Sequence, residues 1–348
     1  MRWHPNAFTA DWLEDALSAP RGSLKAFDAT PIGTGQMSLS FRVRLSWKEH
    51  PGPATIVAKC SSTDPVTRAT AKSLRNYSLE LGWYRDLAKE TAVACPPCLH
   101  LEANEDETEF VLLLGDLAPA RQGDQISGAS LTQVRAALLQ AARLHGPYWN
   151  SPRIDEALWL RPRPDIDSKV RQIVAPLYVQ FRERYAERLS PAVLEAADAF
   201  VARIAGYFEF QAGARTIQHR DLRLDNLLFS PDEASAFVVD WQTVSAGPAA
   251  TDIAYLISTS LANREVRAQN ERELVAGYVD ELRALGADAR FEDVWREYRV
   301  YSWAGLVMAI IASMSVVRTA RGDEMFAVMA ERSVWQAIDL DSLSLLDN

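Results

Sequence analysis

The 348-residue sequence predicts an α+β protein of two lobes: a small antiparallel sheet with one helix over residues 1–116, and a larger, mainly helical part over residues 117–348. Three observations predict this. Residues 39–47, LSFRVRLSW, alternate apolar and polar side chains with period two, as a half-buried antiparallel strand does. From Ser130 onward the apolar residues recur instead at helical spacing. A chain of this length also more readily buries two modest cores than one large one.

Phe27–Ile32 reads as a partner of that strand, with the glycine-bearing turn Gly33-Thr34-Gly35-Gln36-Met37-Ser38 between them. Ala54–Cys60 forms a third strand in which Lys59 shares a face with Val57. Asp64-Pro65 starts a helix, because Asp caps and Pro suits the first turn. Its apolar stripe is Leu74, Tyr77, Leu81, Tyr84 and Ala88, with Glu80 on the edge of the stripe and able to face the sheet. Cys98–Glu102 and Glu109–Leu114 are two more strands around the polar turn Asn104–Thr108.

In the second part, Ser130 and Gln133 form a capping box for a helix that buries Leu131, Val134, Leu138, Ala141 and Leu144. Further helices are expected at 168–188, 191–209, 252–262, 271–285 and 292–317. Residues 216–244 interrupt the series: Leu227–Phe229 and Ala236–Val239 read as a hairpin across the turn Ser230–Ser235. HRDLRLDN leads into that hairpin and Asp240 stands at its exit. A polar cluster set against Leu222, Leu224, Leu227, Leu228 and Phe229 suits a loop anchored in a core but facing something charged.

The formal net charge of −9 argues against nucleic acid and anionic lipid as partners, since both need basic surface. Any polyanionic ligand must be held locally. The stretch MRWHPNAFTADWLEDAL has a proline and three acidic residues where a secretory signal needs an unbroken apolar core, and reads as a cytoplasmic start. The uncharged stretch Val300–Val317 carries three serines and is shorter than the roughly 20 apolar residues of a bilayer span, so it reads as a buried helix. Cys95-Pro96-Pro97-Cys98 has the C-x-x-C form, but it opens a strand rather than a helix and lacks a second pair; it reads as two small apolar residues at a strand entry.

Together the chain offers a glycine-bearing turn, a lysine on the next strand, a glutamate on the next helix, then far downstream an Asp, an Asn five positions on, and a second Asp. Phosphoryl transfer from ATP needs this inventory: backbone amides over the phosphates, a lysine on their oxygens, two magnesium ligands, and a carboxylate for the proton of the attacking hydroxyl.

The order and spacing resemble the protein-kinase-like superfamily, and within it the aminoglycoside phosphotransferase and choline kinase branch. HRDLRLDNLLF, VVDWQ and GPAATDIAYL carry the resemblance, which runs from about Gly33 to about Arg299. FVLLLGDLAPARQGDQISG is similar to the inter-lobe segment of the ecdysteroid-kinase-like and acyl-CoA-dehydrogenase-associated members. The resemblance implies a bilobal protein-kinase-like fold, with ATP as co-substrate and Mg2+ as cofactor. It implies that Asp221 is the catalytic base, that Asn226 and Asp240 bind magnesium, and that Lys59 contacts the phosphates and pairs with Glu80. Gly33, Gly35 and Ser38 would lie over the phosphates, and the backbone around Gly115–Leu117, including Leu117, would receive the adenine. Asp252 would bond back to the catalytic loop, and His219 would serve as a structural hydrogen-bonding residue.

Two departures stand out. Arg220 replaces the glycine usual in this branch, and Asp240 is followed by Trp241-Gln242 rather than Phe-Gly. Eleven residues between Asp240 and Asp252 are too few for a protein-kinase activation loop. A nucleotide-binding pseudokinase serving as an interaction module would have lost one of Lys59, Asp221, Asn226 or Asp240, and none is lost. The expected acceptor is a small molecule with a hydroxyl on a largely apolar skeleton, a hydroxyacyl thioester or a sterol-like alcohol, because Val300–Val317 offers an uncharged wall; an aminoglycoside is the alternative, should Asp280, Glu281, Glu292, Asp293 and Glu297 converge.

Overall fold

The computed structural model describes residues 3–33, 37–49, 51–161 and 164–347. Contacts divide the chain into two compact units. The first comprises Met1–Glu90, Cys95–Pro119 and Asp240–Thr243; the second comprises Thr91–Ala94, Ala120–Val239 and Val244–Asn348.

The first unit is built on an antiparallel sheet of five strands: β1 (Leu24–Ile32), β2 (Ser38–Trp47), β3 (Thr55–Ser61), β4 (Cys98–Ala103) and β5 (Phe110–Gly115), in the order β1-β2-β3-β5-β4. The alternation that predicts β2 holds, with Phe41, Val43 and Leu45 buried. One sheet face packs Val43, Leu45, Ile56, Ala58, Cys60, Val111 and Leu113 against Trp3, Phe8 and Leu13 of the N-terminal segment. Leu13 lies in a short helix, α1 (Ala10–Ala16), capped by Thr9, which the sequence reading leaves out. With seven residues it shows too few turns for a periodic signal. Lys59 pairs in register with Ser40 on one side and Leu112 on the other, which places it on the opposite face of the sheet.

The single helix expected after Asp64 is broken. Asp64 caps α2 (Pro65–Leu74) by accepting from Val66 and Thr67, as predicted, but Arg75 then turns left-handed at φ 62°. Helix α3 (Asn76–Gly82) starts on a new axis, so Tyr77 and Leu81 are buried while Leu74, placed in the same stripe by the sequence reading, is 51% exposed. A wide π turn over Trp83–Leu87 follows and buries Trp83 beside Tyr84.

The second unit is mainly helical. After the two-residue β6 (Arg121–Gln122) comes α4 (Leu131–His145), whose capping box is formed: Ser130 Oγ accepts from Gln133 N at 3.2 Å and Gln133 Oε1 from Ser130 N at 2.9 Å. Then follow α5 (Arg153–Glu156), α6 (Pro164–Tyr185), α7 (Pro191–Ala202) and α8 (Ile204–Glu209). The helix expected over 191–209 is thus divided at Arg203. Strand β7 (Thr216–Gln218) enters the HRDLRLDN loop, β8 (Leu227–Phe229) and β9 (Ala236–Val238) form the expected hairpin, and β10 (Ser245–Gly247) returns antiparallel to β7. The remaining helices are α9 (Ala249–Ser260), α10 (Arg264–Ala284), α11 (Phe291–Tyr301), α12 (Ala304–Ser315) and α13 (Ala320–Asp339). The expected helix 292–317 is two helices, and Trp303 at their junction is fully buried, stacked on Phe200 at 4.4 Å. Helix α13, absent from the sequence reading, buries Met325, Phe326, Met329, Ala330 and Val334. Among the described residues no helix is long and apolar enough to cross a membrane.

Candidate active site

In the first unit, Lys59 on β3 is the centre of a three-residue ion cluster. Its Nζ lies 2.6 Å from Glu80 Oε1 and 2.7 Å from Asp240 Oδ1, with the Lys59 and Glu80 side chains buried. Burial opposes the ammonium charge, but Asp240 and Glu80 more than offset it and hold the Lys59 pKa above its ordinary value. Burial pushes the Glu80 carboxyl up and Lys59 pulls it back only in part, so its pKa lies above the ordinary value.

The segment Asp240–Thr243 belongs to this unit because α3 and the π turn hold it there. Asn76 Nδ2 donates to the Gln242 carbonyl at 3.1 Å, Glu80 accepts from the Trp241 backbone, and the Trp241 ring stacks on Trp83 at 3.6 Å with an 11° tilt. That stacking accounts for the tryptophan after Asp240: a flat, fully buried ring fills the space over Trp83. Asp240 itself turns left-handed at φ 68°.

The other predicted nucleotide-contact residues are placed as follows. Gly33 follows β1 in left-handed backbone, φ 72°, and a Cβ there would meet nothing within 4 Å. Gly35 lies outside the described residues. Ser38 begins β2 and is 7% exposed. Tyr77 OH donates to the Met37 carbonyl at 2.6 Å and so fixes the end of the glycine-bearing turn. Gly115 ends β5 and donates to the Pro97 carbonyl at 2.9 Å; a Cβ there would meet Pro97 Cγ at 2.7 Å, so only glycine fits. Leu117 is half-buried two residues on. Between them Asp116 receives Arg42 Nε at 2.7 Å and Arg42 Nη2 at 3.1 Å, an anchor that the alternation of β2 hides by reading Arg42 as a solvated residue.

In the second unit, the HRDLRLDN loop folds around Asp221. Oδ1 of Asp221 accepts from Tyr255 OH and from Arg223 Nε, both at 3.1 Å, and Oδ2 accepts from Asn226 Nδ2 at 2.8 Å. Asn226 Nδ2 also reaches the Asp221 carbonyl at 2.9 Å, which closes the five-residue spacing into a ring. Arg223, half-buried, bridges to Asp225 at 2.9 Å, while Arg321 from α13 also reaches Asp225 at 3.2 Å. Burial opposes the Arg223 charge, and Asp221, Tyr255 and Asp225 together more than restore it.

Asp252, fully buried on α9, fastens the loop from behind. It accepts from the backbone N–H of His219 at 2.6 Å and of Arg220 at 2.9 Å, and His145 Nε2 stands 3.3 Å away with Tyr278 OH on its other ring nitrogen at 2.7 Å. Burial alone would raise the Asp252 carboxyl, but His145 and the His219 contacts outweigh it and hold the pKa below the ordinary range. His219 Nδ1 accepts from Asp221 N at 3.3 Å, so its Nε2–H donates to the Val239 carbonyl at 3.0 Å. Arg220 turns left-handed at φ 65°, the conformation for which glycine is the usual choice; an L-residue there costs roughly 1–2 kcal/mol.

Arg223, Asp225, Tyr255 and Arg321 are the residues that the sequence reading passes over. Tyr255 follows Asp252 by one helical turn, and residues at i and i+3 share a helix face, which is the signal that finds it. Arg321 lies on α13 and gives no such signal. Burial pushes the Cys95 thiol up to about 11 and raises Cys98 as well, against the lowered pKa of a reactive C-x-x-C pair. Among the described residues no group of three or more His, Cys, Asp and Glu could hold a metal by itself.

Solved structures with the same fold include an aminoglycoside phosphotransferase from Alicyclobacillus acidocaldarius, 13% identical with a TM-score of 0.51, covering 98% of both chains. A choline kinase from Cryptosporidium parvum Iowa II is 12% identical with a TM-score of 0.54, covering 92% of this chain and 94% of its own. The GDP and kanamycin complex of APH(2")-IIia is 12% identical with a TM-score of 0.54, covering 90% and 94%. No curated protein matches the sequence. At such identities the likeness speaks for the protein-kinase-like fold, and the sequence speaks for the family: the model of the phosphotransferase enzyme family (APH) matches residues 40–301, three quarters of the chain, and the protein belongs to that family.

Proposed function

We propose that the protein is an ATP-dependent, cytoplasmic small-molecule kinase that transfers the γ-phosphoryl group to a hydroxyl on a largely apolar organic acceptor, a hydroxyacyl thioester or a sterol-like alcohol. The observation that carries this reading is the environment of Asp221. A carboxylate oxygen has two lone pairs; Oδ1 spends both on Tyr255 and Arg223, whereas Oδ2 spends one on Asn226. Oδ2 is therefore the oxygen that takes the acceptor proton. The acceptor oxygen forms the new bond to phosphorus, the bond to the β,γ-bridging oxygen breaks, and ADP leaves with that electron pair.

Lys59, held between Glu80 and Asp240, neutralises phosphate oxygens, with Gly33, Gly35 and Ser38 over the phosphates and Gly115 and Leu117 beside the base. Asn226 commits its Nδ2 to Asp221 and keeps its amide oxygen as a donor, and Asp240 adds a carboxylate. These hard oxygen atoms fit Mg2+, which takes one or two protein ligands beside the phosphates and waters, so Asn226 and Asp240 would be the residues that hold it. Bound there, the ion supplies positive charge against the phosphates. Residues 1–116 serve as the nucleotide-binding lobe and 117–348 as the catalytic and acceptor lobe.

Two features favour an apolar acceptor over an aminoglycoside. On α12, Val307, Met308, Ile311 and Met314 remain half-exposed, whereas Ala304, Gly305, Leu306, Ala309, Ile310 and Ser313 are buried. Of the five carboxylates that a polycation would call on, four are already engaged, Asp280 with Arg283, Glu292 with Arg272, Asp293 with Arg290, and Glu297 with the Gly213 N–H, and the fifth, Glu281, is exposed. A screen of alcohols by ATP consumption with mass detection of the product tests the reading. Phosphorylation of an apolar hydroxy compound supports it; a higher kcat/KM for kanamycin than for a 4-hydroxyacyl thioester overturns the acceptor class, and failure to bind MgATP overturns the kinase.

A further inference from the structure

The family match ends at residue 301, yet α13, which begins at Ala320, supplies side chains to the catalytic loop. Arg321, in its first turn, lays both terminal nitrogens on Asp225: Nη1 is 3.2 Å from Oδ2 and Nη2 is 3.2 Å from Oδ1. Asp225 Oδ2 also accepts from Arg223 Nη1 at 2.9 Å, and Arg223 Nε donates to Asp221 Oδ1 at 3.1 Å. Arg321, Asp225, Arg223 and Asp221 thus form one chain of charge-assisted hydrogen bonds with alternating charge, running from α13 to Asp221.

The middle of that chain is held tightly. Besides Arg321, Asp225 Oδ1 accepts from the Gln125 N–H at 3.1 Å, and Arg223 Nη1 reaches Met325 Sδ, also on α13, at 3.2 Å. Arg332, further along the helix, donates to the carbonyls of Gln125, Ile126 and Thr259 at 2.9, 2.7 and 2.8 Å, and Gln125 Oε1 in turn accepts from Leu224 N at 2.9 Å. A rigid guanidinium fork shared by two carboxylates cannot shift toward one without leaving the other. Without Arg321, Asp225 is free to draw Arg223 away, and Oδ1 of Asp221 is left with Tyr255 alone.

Helix stability does not account for Arg321. A cation in a first turn opposes the helix dipole, and its side chain is 50% exposed, where a single ion pair contributes little. Its second carboxylate, Asp124, stands 3.8 Å away and is exposed as well.

We infer that Arg321 is a positioning residue for phosphoryl transfer: it holds Asp225 and, through Arg223, aims Asp221 at the acceptor hydroxyl. The inference rests on the reading of Asp221 as the base, and it adds that a helix outside the span of the family match completes the active site of this chain.

The test compares the wild type with Arg321→Gln, Arg321→Lys, Asp225→Asn, the double variant Arg321→Gln/Asp225→Asn, and Asp221→Asn as the reference for loss of the base. ATP consumption is followed with water and with a 4-hydroxyacyl thioester as acceptors, beside MgATP affinity by calorimetry and urea midpoints. Arg321→Gln should lower kcat about tenfold, as loss of one hydrogen bond to a charged group implies, with MgATP affinity and urea midpoint unchanged. Arg321→Lys keeps the charge and should recover most of the rate. Asp225→Asn should be slowed as well, and the double variant should fall well short of the about hundredfold loss that independent effects multiply to. A wild-type kcat in Arg321→Gln, or fully multiplicative losses in the double variant, overturns the inference. If Asp221→Asn turns over like the wild type, the base reading itself falls; if Asp221→Asn is slowed and Arg321→Gln is not, only the inference falls. Should neither acceptor turn over, amide exchange across residues 219–229 decides: faster exchange in Arg321→Gln than in Arg321→Lys supports the inference, and equal exchange overturns it.

Discussion

The Tyr255 hydroxyl donates a 3.1 Å hydrogen bond to Oδ1 of Asp221, from a side chain that is 2% exposed. Its own pKa is held well above the ordinary value, by burial and by the Asp221 charge, so it stays a donor across the working pH range. Tyr255→Phe removes that donor with little change of volume. The expected result is a fall in kcat of about tenfold, the value of one hydrogen bond to a charged group, with nucleotide affinity unchanged. Single-turnover kinetics checks it, and an unchanged chemical step would show that Arg223 and Asn226 suffice to orient the base.

Asp221→Asn keeps the size of the side chain and removes proton acceptance, with its amide nitrogen facing a donor where Oδ2 accepted from Asn226. It should lower kcat by about 10²–10⁴ while MgATP still binds in calorimetry. Full turnover would place the base elsewhere.

Asp240→Ala should abolish tight MgATP binding and activity together. Because Asp240 is left-handed at φ 68°, alanine also adds backbone strain of about 1–2 kcal/mol, whereas asparagine tolerates this conformation. Asp240→Asn is therefore the cleaner variant, and MgATP affinity equal to wild type in it would remove Asp240 from the metal site.

Asp252 predicts an acid-sensitive contribution to stability. Its folded pKa lies below the unfolded value, so its contribution is complete above the unfolded carboxylate value near about 3.9 and is lost as pH falls through the folded value. Asp252→Asn should cost about 3 kcal/mol at pH 7 and lessen the fall in stability below pH 4. Urea midpoints at pH 7 and pH 3.5 measure both effects, and a parallel loss at the two pH values would contradict the assignment.

Much of this was legible because it is local. The alternation in residues 39–47, the Asp64-Pro65 helix start and the Ser130 capping box are short-range patterns, and each forms as read. The spacing of Asp221 and Asn226 is also local: five residues are enough for the Asn226 amide to return to the Asp221 carbonyl and close the loop. Breaks in helices were less legible. Arg75 ends α2 in left-handed backbone although no glycine or proline marks the place, because a new axis lets Tyr77 and Leu81 reach the sheet. Packing outweighed propensity there.

By itself the sequence determined the fold class, most of the strands and helices, and the family through the HRDLRLDN and VVDW stretches, since backbone periodicity and motif spacing are set within a few residues. Only the tertiary structure decided which side chains meet across long separations. Lys59 reaches Asp240 across 181 positions, Asp221 takes its third side-chain donor from Tyr255 on α9, and Asp225 is braced by Arg321 on α13. A buried charge persists only where a partner satisfies it, and partners that distant are found by packing, which no local pattern encodes.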